Sequence, residues 1–153
     1  MKPLIIAATT STPSVRFDHE TRELEVRGES YPENAFEFYK PILGWLRELF
    51  AHPQGASSRG PVVLRVHVRY MNTSSVKCMM DALDTFEDAH KSGTNVAVYW
   101  HYEHDNDRAL DMAEDFKEEL SLPFHVVAET RADALAETGA ETPAAKASEK
   151  PTG

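Results

Sequence analysis

The chain has 153 residues, 41% of them hydrophobic, which suits one domain with a real core. Its net charge of −9 excludes the clustered Lys and Arg that a phosphate backbone or an anionic membrane surface demands, so neither nucleic acid nor membrane is an expected partner. A single cysteine, Cys78, excludes an internal disulfide and a multi-thiolate zinc site.

Leu4 opens a short apolar run to Ala8 that reads as an edge strand, and Ser11-Thr12-Pro13 reads as a turn. Residues 15–18 and 24–27 alternate apolar and polar across a short connection, which predicts an antiparallel hairpin closed by Gly28. Ser30-Tyr31-Pro32-Glu33-Asn34 reads as a capping segment before a helix. In that helix Phe36, Tyr39, Ile42, Leu43, Leu46, Leu49 and Phe50 recur at helical spacing. Pro41 inside it lacks a backbone donor and predicts a bend there, or a helix that starts near it. Residues 52–60 have no period and read as a surface loop.

Val62, Leu64, Val66, Val68 and Tyr70 then alternate with Val63, Arg65, His67 and Arg69, the clearest strand in the chain. A helix follows with Val76, Met79, Met80, Leu83 and Phe86 on one face, ending near Gly93. A strand over 96–102 comes next. A third helix, marked by Leu110, Ala113, Phe116 and Leu120, is expected to stop at Pro123. A last short strand covers 124–127. Strand–helix alternation from residue 62 implies parallel strands with right-handed crossovers, and the hairpin makes the sheet mixed. Residues 1–128 therefore read as one α/β domain. Residues 129–153, rich in Ala, Glu, Thr, Pro and Lys, read as a disordered polar tail. Residues 1–8 are too short and too soon interrupted for a signal peptide, and no apolar run approaches 18 residues; a cytoplasmic protein is expected.

Between the clearest strand and its helix stands Asn72-Thr73-Ser74-Ser75. A helix start carries about half a positive charge and unpaired N–H groups, so it suits an anion or a phosphorylated hydroxyl. In an open parallel sheet, ligands and modifications gather beyond the carboxyl ends of the strands, where this run sits. Plain capping is the competing reading of the same residues. His101 and His104, with Glu103 and with His67 on the preceding strand, suggest a metal site. Strand alternation points His101 and His104 to opposite faces, so no metal is expected, and a metal hydrolase built on this pair is the weakest alternative. The carboxylates from Asp105 to Glu119 read as a solvated helix face, and Cys78 as a structural thiol. No Gly-rich phosphate loop or nucleophile elbow is present, so neither catalytic residues nor a cofactor are expected.

Ser30-Tyr31-Pro32-Glu33-Asn34, Phe38-Tyr39 with Pro41, Trp45-Leu46, the run from Tyr70 to Lys77 with Met80-Asp81, Trp100-His101-Tyr102 and Pro123-Phe124 together resemble the bacterial SiaC family of regulatory phosphoproteins. The resemblance covers about residues 5–128; the loop at 52–60 is longer than the family pattern and the tail lies outside it. It implies a fold similar to STAS-type anti-sigma-factor antagonists. It also implies a non-catalytic protein that binds and activates a diguanylate cyclase when unphosphorylated, so governing cyclic di-GMP and biofilm formation. The family's phosphoacceptor is the Thr after the Asn of the motif, here Thr73, written by a serine/threonine kinase and erased by a phosphatase. Asn72, Ser74 and Ser75 would flank the switch, with Ser75 satisfying the helix start. Tyr31, Glu33, Asn34, Met71 and Lys77 are expected to meet the partner, because helix starts after strands share one sheet edge. An anti-sigma-type partner switch is the alternative function.

Overall fold

The computed structural model describes residues 1–52 and 60–130. A six-stranded sheet carries β1 (Leu4–Ile6), β2 (Ser14–Asp18), β3 (Glu23–Ser30), β4 (Val62–Met71), β5 (Val96–Glu103) and β6 (Phe124–Glu129) in spatial order equal to chain order. β1, β2 and β3 pair antiparallel, and β3 to β6 pair parallel. The parallel connections are α1 (Ala35–Ala51), α2 (Thr73–Lys91) and α3 (Asp107–Glu118). Each crossover steps one strand in the same direction, so right-handedness puts all three helices on one face of the sheet.

The inward residues of the strands meet the helices in one core. Leu24, Val26, Leu64, Val66, Val68, Val98 and Trp100 pack with Tyr39, Ile42, Leu46, Leu83 and Phe86. Trp100, fully buried, lies 5.0 Å from the Phe116 ring of α3 and 6.2 Å from Phe124 of β6. Phe50 of α1 meets Phe86 of α2 edge-on at 5.1 Å. The opposite face carries a polar ladder: Arg65 lies 4.8 Å over the Tyr99 ring, which stacks on His125 at 4.6 Å.

The expected mixed α/β architecture is the one observed, with different boundaries. α1 begins at Ala35 and continues through Pro41, so the helix does not start near the proline. α3 ends at Glu118 rather than running to Pro123. Its last turn tightens through Glu119 N–H to Phe116 O (3.1 Å), and the Glu87 carboxylate then accepts from the Ser121 and Leu122 N–H groups. β6 runs on through Glu129. Residues 53–59 of the expected loop and 131–153 of the expected tail lie outside the described residues.

One irregularity positions everything at the carboxyl edge. Gly28 of β3 pairs with Val68 of β4, but Glu29 pairs with Tyr70, so Arg69 is an extra residue on β4. The inside–outside alternation inverts beyond it: Val68 is buried, Arg69 and Tyr70 are exposed, and Met71 is buried again. Gly28, opposite the shift, has φ +124°, and a Cβ built there would stand 3.4 Å from Pro13 Cα. That backbone conformation is glycine territory. Gly28→Ala is expected to lower stability by about 1–3 kcal/mol, seen as a lower urea midpoint at unchanged slope; an unchanged midpoint would show that the shift does not depend on this glycine.

Candidate functional site

β3, β4 and β5 each deliver their chain to the same edge, and each is followed by a helix capped by an asparagine. The Asn34 side chain accepts from Glu37 N (3.1 Å), Asn72 from Ser75 N (2.9 Å) and Asn106 from Ala109 N (3.0 Å). Three helix N-termini thus face one way, each placing the positive end of its dipole on this edge of a chain of net charge −9. Asn72 is held at the centre: its N–H donates to Ser30 O (2.9 Å) and its side-chain amide to Pro32 O (3.4 Å). The Asn106 amide reaches Arg69 O, the carbonyl of the extra residue, at 3.5 Å.

The hydroxyl run is sorted by the first turn of α2. Thr73 and Ser74 are exposed, whereas Ser75 is fully buried. Ser30 donates to Ser75 Oγ (2.8 Å) and also bonds the Tyr39 hydroxyl (2.9 Å). The expectation that Ser75 satisfies the helix start is therefore corrected. Asn72 caps the helix, and the Ser75 side chain turns inward, because the third residue of α2 lies on its buried face.

The expected partner residues divide. Tyr31 and Tyr70 are exposed, 37% and 49%, and meet edge-on with centroids 6.0 Å apart. Phe36, 61% exposed, stands one residue inside α1 on the same edge. Glu33 and Lys77 are exposed, and Asn34 is exposed while serving as the α1 cap. Met71 is corrected: it is buried in the core, because the extra residue at Arg69 exchanges its orientation with that of Tyr70. Tyr70 and Phe36 were expected inside from their place in apolar patterns, and no feature of the sequence pattern marks the exchange.

A second cluster lies where β4 and β5 part. Their pairing ends at Val66–Trp100, and a crevice of about 410 Å³ opens beyond, lined by His67, Arg69, His101, Tyr102, Asn106 and Glu129 among others. The His67 and His101 rings stack at 4.0 Å. Their Nδ1 atoms lie 3.5 and 3.0 Å from Glu129 Oε2. Burial works to raise the Glu129 carboxyl, but its contacts with the His101 and His67 imidazoles outweigh this and bring it down to about 2. His104 is exposed and stands apart, because β5 ends at Glu103 and His104 lies in the turn beyond it. Glu129 escaped the sequence reading because it opens the polar tail composition. Among the described residues no helix is long and apolar enough to cross a membrane.

The family model that matches this α/β domain is one of regulatory phosphoproteins. More particularly, the chain belongs to the SiaC family: residues 6–129 match the SiaC family regulatory phosphoprotein. SiaC of Pseudomonas aeruginosa is similar to it in structure, with a TM-score of 0.76 at 38% identity over 84% of this chain and 100% of that one. A second solved structure, the diguanylate cyclase SiaD of the same organism in complex with its activator SiaC, matches at a TM-score of 0.76 and 39% identity, over 82% of this chain and 99% of the matched one. An uncharacterized protein of P. aeruginosa strain UCBPP-PA14 is 39% identical over 128 residues, 84% of this chain and 98% of its own length.

The hydrogen-bonded trio of Ser30, Ser75 and Tyr39 has a pH signature. Burial pushes the Tyr39 phenol up to about 12 from its ordinary 10, against the lowering effect of its Ser30 hydrogen bond. A raised value means that this stability is complete below pH 10 and is lost as pH rises through about 12. Of the five tyrosines, one is expected to give a tyrosinate absorbance step near pH 12, and Tyr39→Phe is expected to remove it. Persistence of that step in the variant would place the late ionisation elsewhere.

Proposed function

We propose that the chain is a non-catalytic, cytoplasmic regulatory protein that, unphosphorylated, binds and activates a diguanylate cyclase and thereby controls cyclic di-GMP signalling and biofilm formation. Phosphorylation of Thr73 by a serine/threonine kinase ends binding, and a phosphatase restores it. The observation that carries this reading is the exposure of Thr73 on the edge that also presents Tyr31, Tyr70 and Phe36, while Ser75 is sealed beneath. The solved complex of the similar SiaC with the cyclase SiaD supports the choice of partner.

Exposed aromatic side chains offer the partner large contact area at low entropic cost. A phosphate on Thr73 adds about 1.5–2 negative charges. The fold accommodates it, since Thr73 is the first residue of α2, where the helix dipole favours an anion, and Lys77 stands one turn further along. A partner seated flat on the aromatic pair would have to desolvate the dianion, at a cost of several kcal/mol. The same modification is thus tolerated by the domain and rejected by the docked complex.

With the cognate kinase, intact-mass analysis is expected to show one added phosphate, absent from Thr73→Ala. A phosphate that persists in that variant would move the acceptor elsewhere. Cyclase binding is expected to be lost on phosphorylation and recovered with the phosphatase. Tyr70→Ala is expected to weaken cyclase binding by about 2 kcal/mol, roughly 30-fold, by calorimetry, without changing the urea midpoint. Unchanged affinity would take the aromatic pair out of the interface.

A further inference from the structure

We propose that His67, His101 and Glu129 form a three-ligand site for a divalent transition-metal ion of the zinc type, with its fourth position open to the crevice between β4 and β5. The three side chains come from three adjacent strands, β4, β5 and β6, and converge on the helix-free face where the first two strands part. One ligand atom from each lies within 4.8 Å of the other two. Ligands bound to one tetrahedral zinc at about 2.0–2.2 Å stand about 3.3–3.5 Å apart. The observed separations from Glu129 Oε2, 3.0 Å to His101 Nδ1 and 3.5 Å to His67 Nδ1, bracket that span.

His101 Nδ1 and Glu129 Oε2, 3.0 Å apart, lie within reach of one small cation. Closing on one ion requires the stacked rings, now 13° from parallel, to tilt toward each other, and the broad terminal torsion of histidine permits it.

The donor set selects the ion. Two imidazoles and one carboxylate suit zinc and its neighbours, not magnesium or calcium, which prefer all-oxygen shells. The crevice, about 410 Å³, leaves room for a water or an anionic ligand oxygen in the fourth position, with Arg69 and Tyr102 in its wall. Bound there, the ion would fasten β4 to β5 past the last backbone pair between them, six residues before Thr73 in the chain.

Titration of the metal-free full-length chain with zinc alone, by calorimetry, is expected to give one site per chain. Glu129→Gln and His101→Ala are each expected to weaken it at least tenfold, and His104→Gln to leave it unchanged. Imidazole nitrogen NMR on the wild-type chain tests the site without relying on any variant. Of the seven histidines, His67 and His101 alone are expected to shift at their Nδ1 atoms with one equivalent of zinc. Absence of stoichiometric uptake, uptake with unchanged affinity in His101→Ala, or shifts confined to other histidines would overturn the assignment.

Discussion

The single extra residue on β4 opposite Gly28 is the constraint on which the functional edge depends. Side chains on a strand alternate strictly, so one inserted position exchanges the two faces from there on. Without it Tyr70 would continue the inward series of Val66 and Val68, and Met71 would stand in water. With it, Met71 completes the core and Tyr70 pairs with Tyr31 at the surface. The shift also settles how the chain enters α2. Asn72 takes the capping position against Ser30 and Pro32, and the helix then turns Thr73 and Ser74 outward and Ser75 inward.

Much of this domain was legible from residue pattern. Alternation over residues 64–68 and the helical repeat of Met79, Leu83 and Phe86 each report burial on one face, and periodicity reads burial directly. The hydroxyl run was placed correctly because strand-to-helix junctions are local. What failed was non-local. The exchange of Tyr70 and Met71 is decided by pairing with Gly28, some forty residues earlier, and leaves no mark in the β4 sequence itself. The convergence of His67, His101 and Glu129 depends on strand neighbours far apart in the chain, and composition alone had assigned Glu129 to the tail. Ser75 was misread because capping propensity does not distinguish a residue that caps from one that is capped.

The electrostatic economy of the molecule is also local. An acidic chain repels further negative charge at long range, yet three parallel helix starts place the positive ends of their dipoles on the one edge that carries Thr73. Salt screens the long-range part within about 8–10 Å, so the short-range field of the helix start dominates at Thr73.

Spatial order equal to chain order has a consequence for assembly. Each strand after the first finds one neighbour already in place as it emerges during synthesis, so no segment must thread past another. Growth by addition to one open margin keeps each loop closure short, which lowers the entropic barrier relative to interleaved parallel sheets. The exposed margin migrates with the growing chain and comes to rest at β6, the last strand laid down. Until that strand docks, β5 is an unprotected adhesive border, and the nascent protein is most open to self-association in the interval before residues 124–129 arrive.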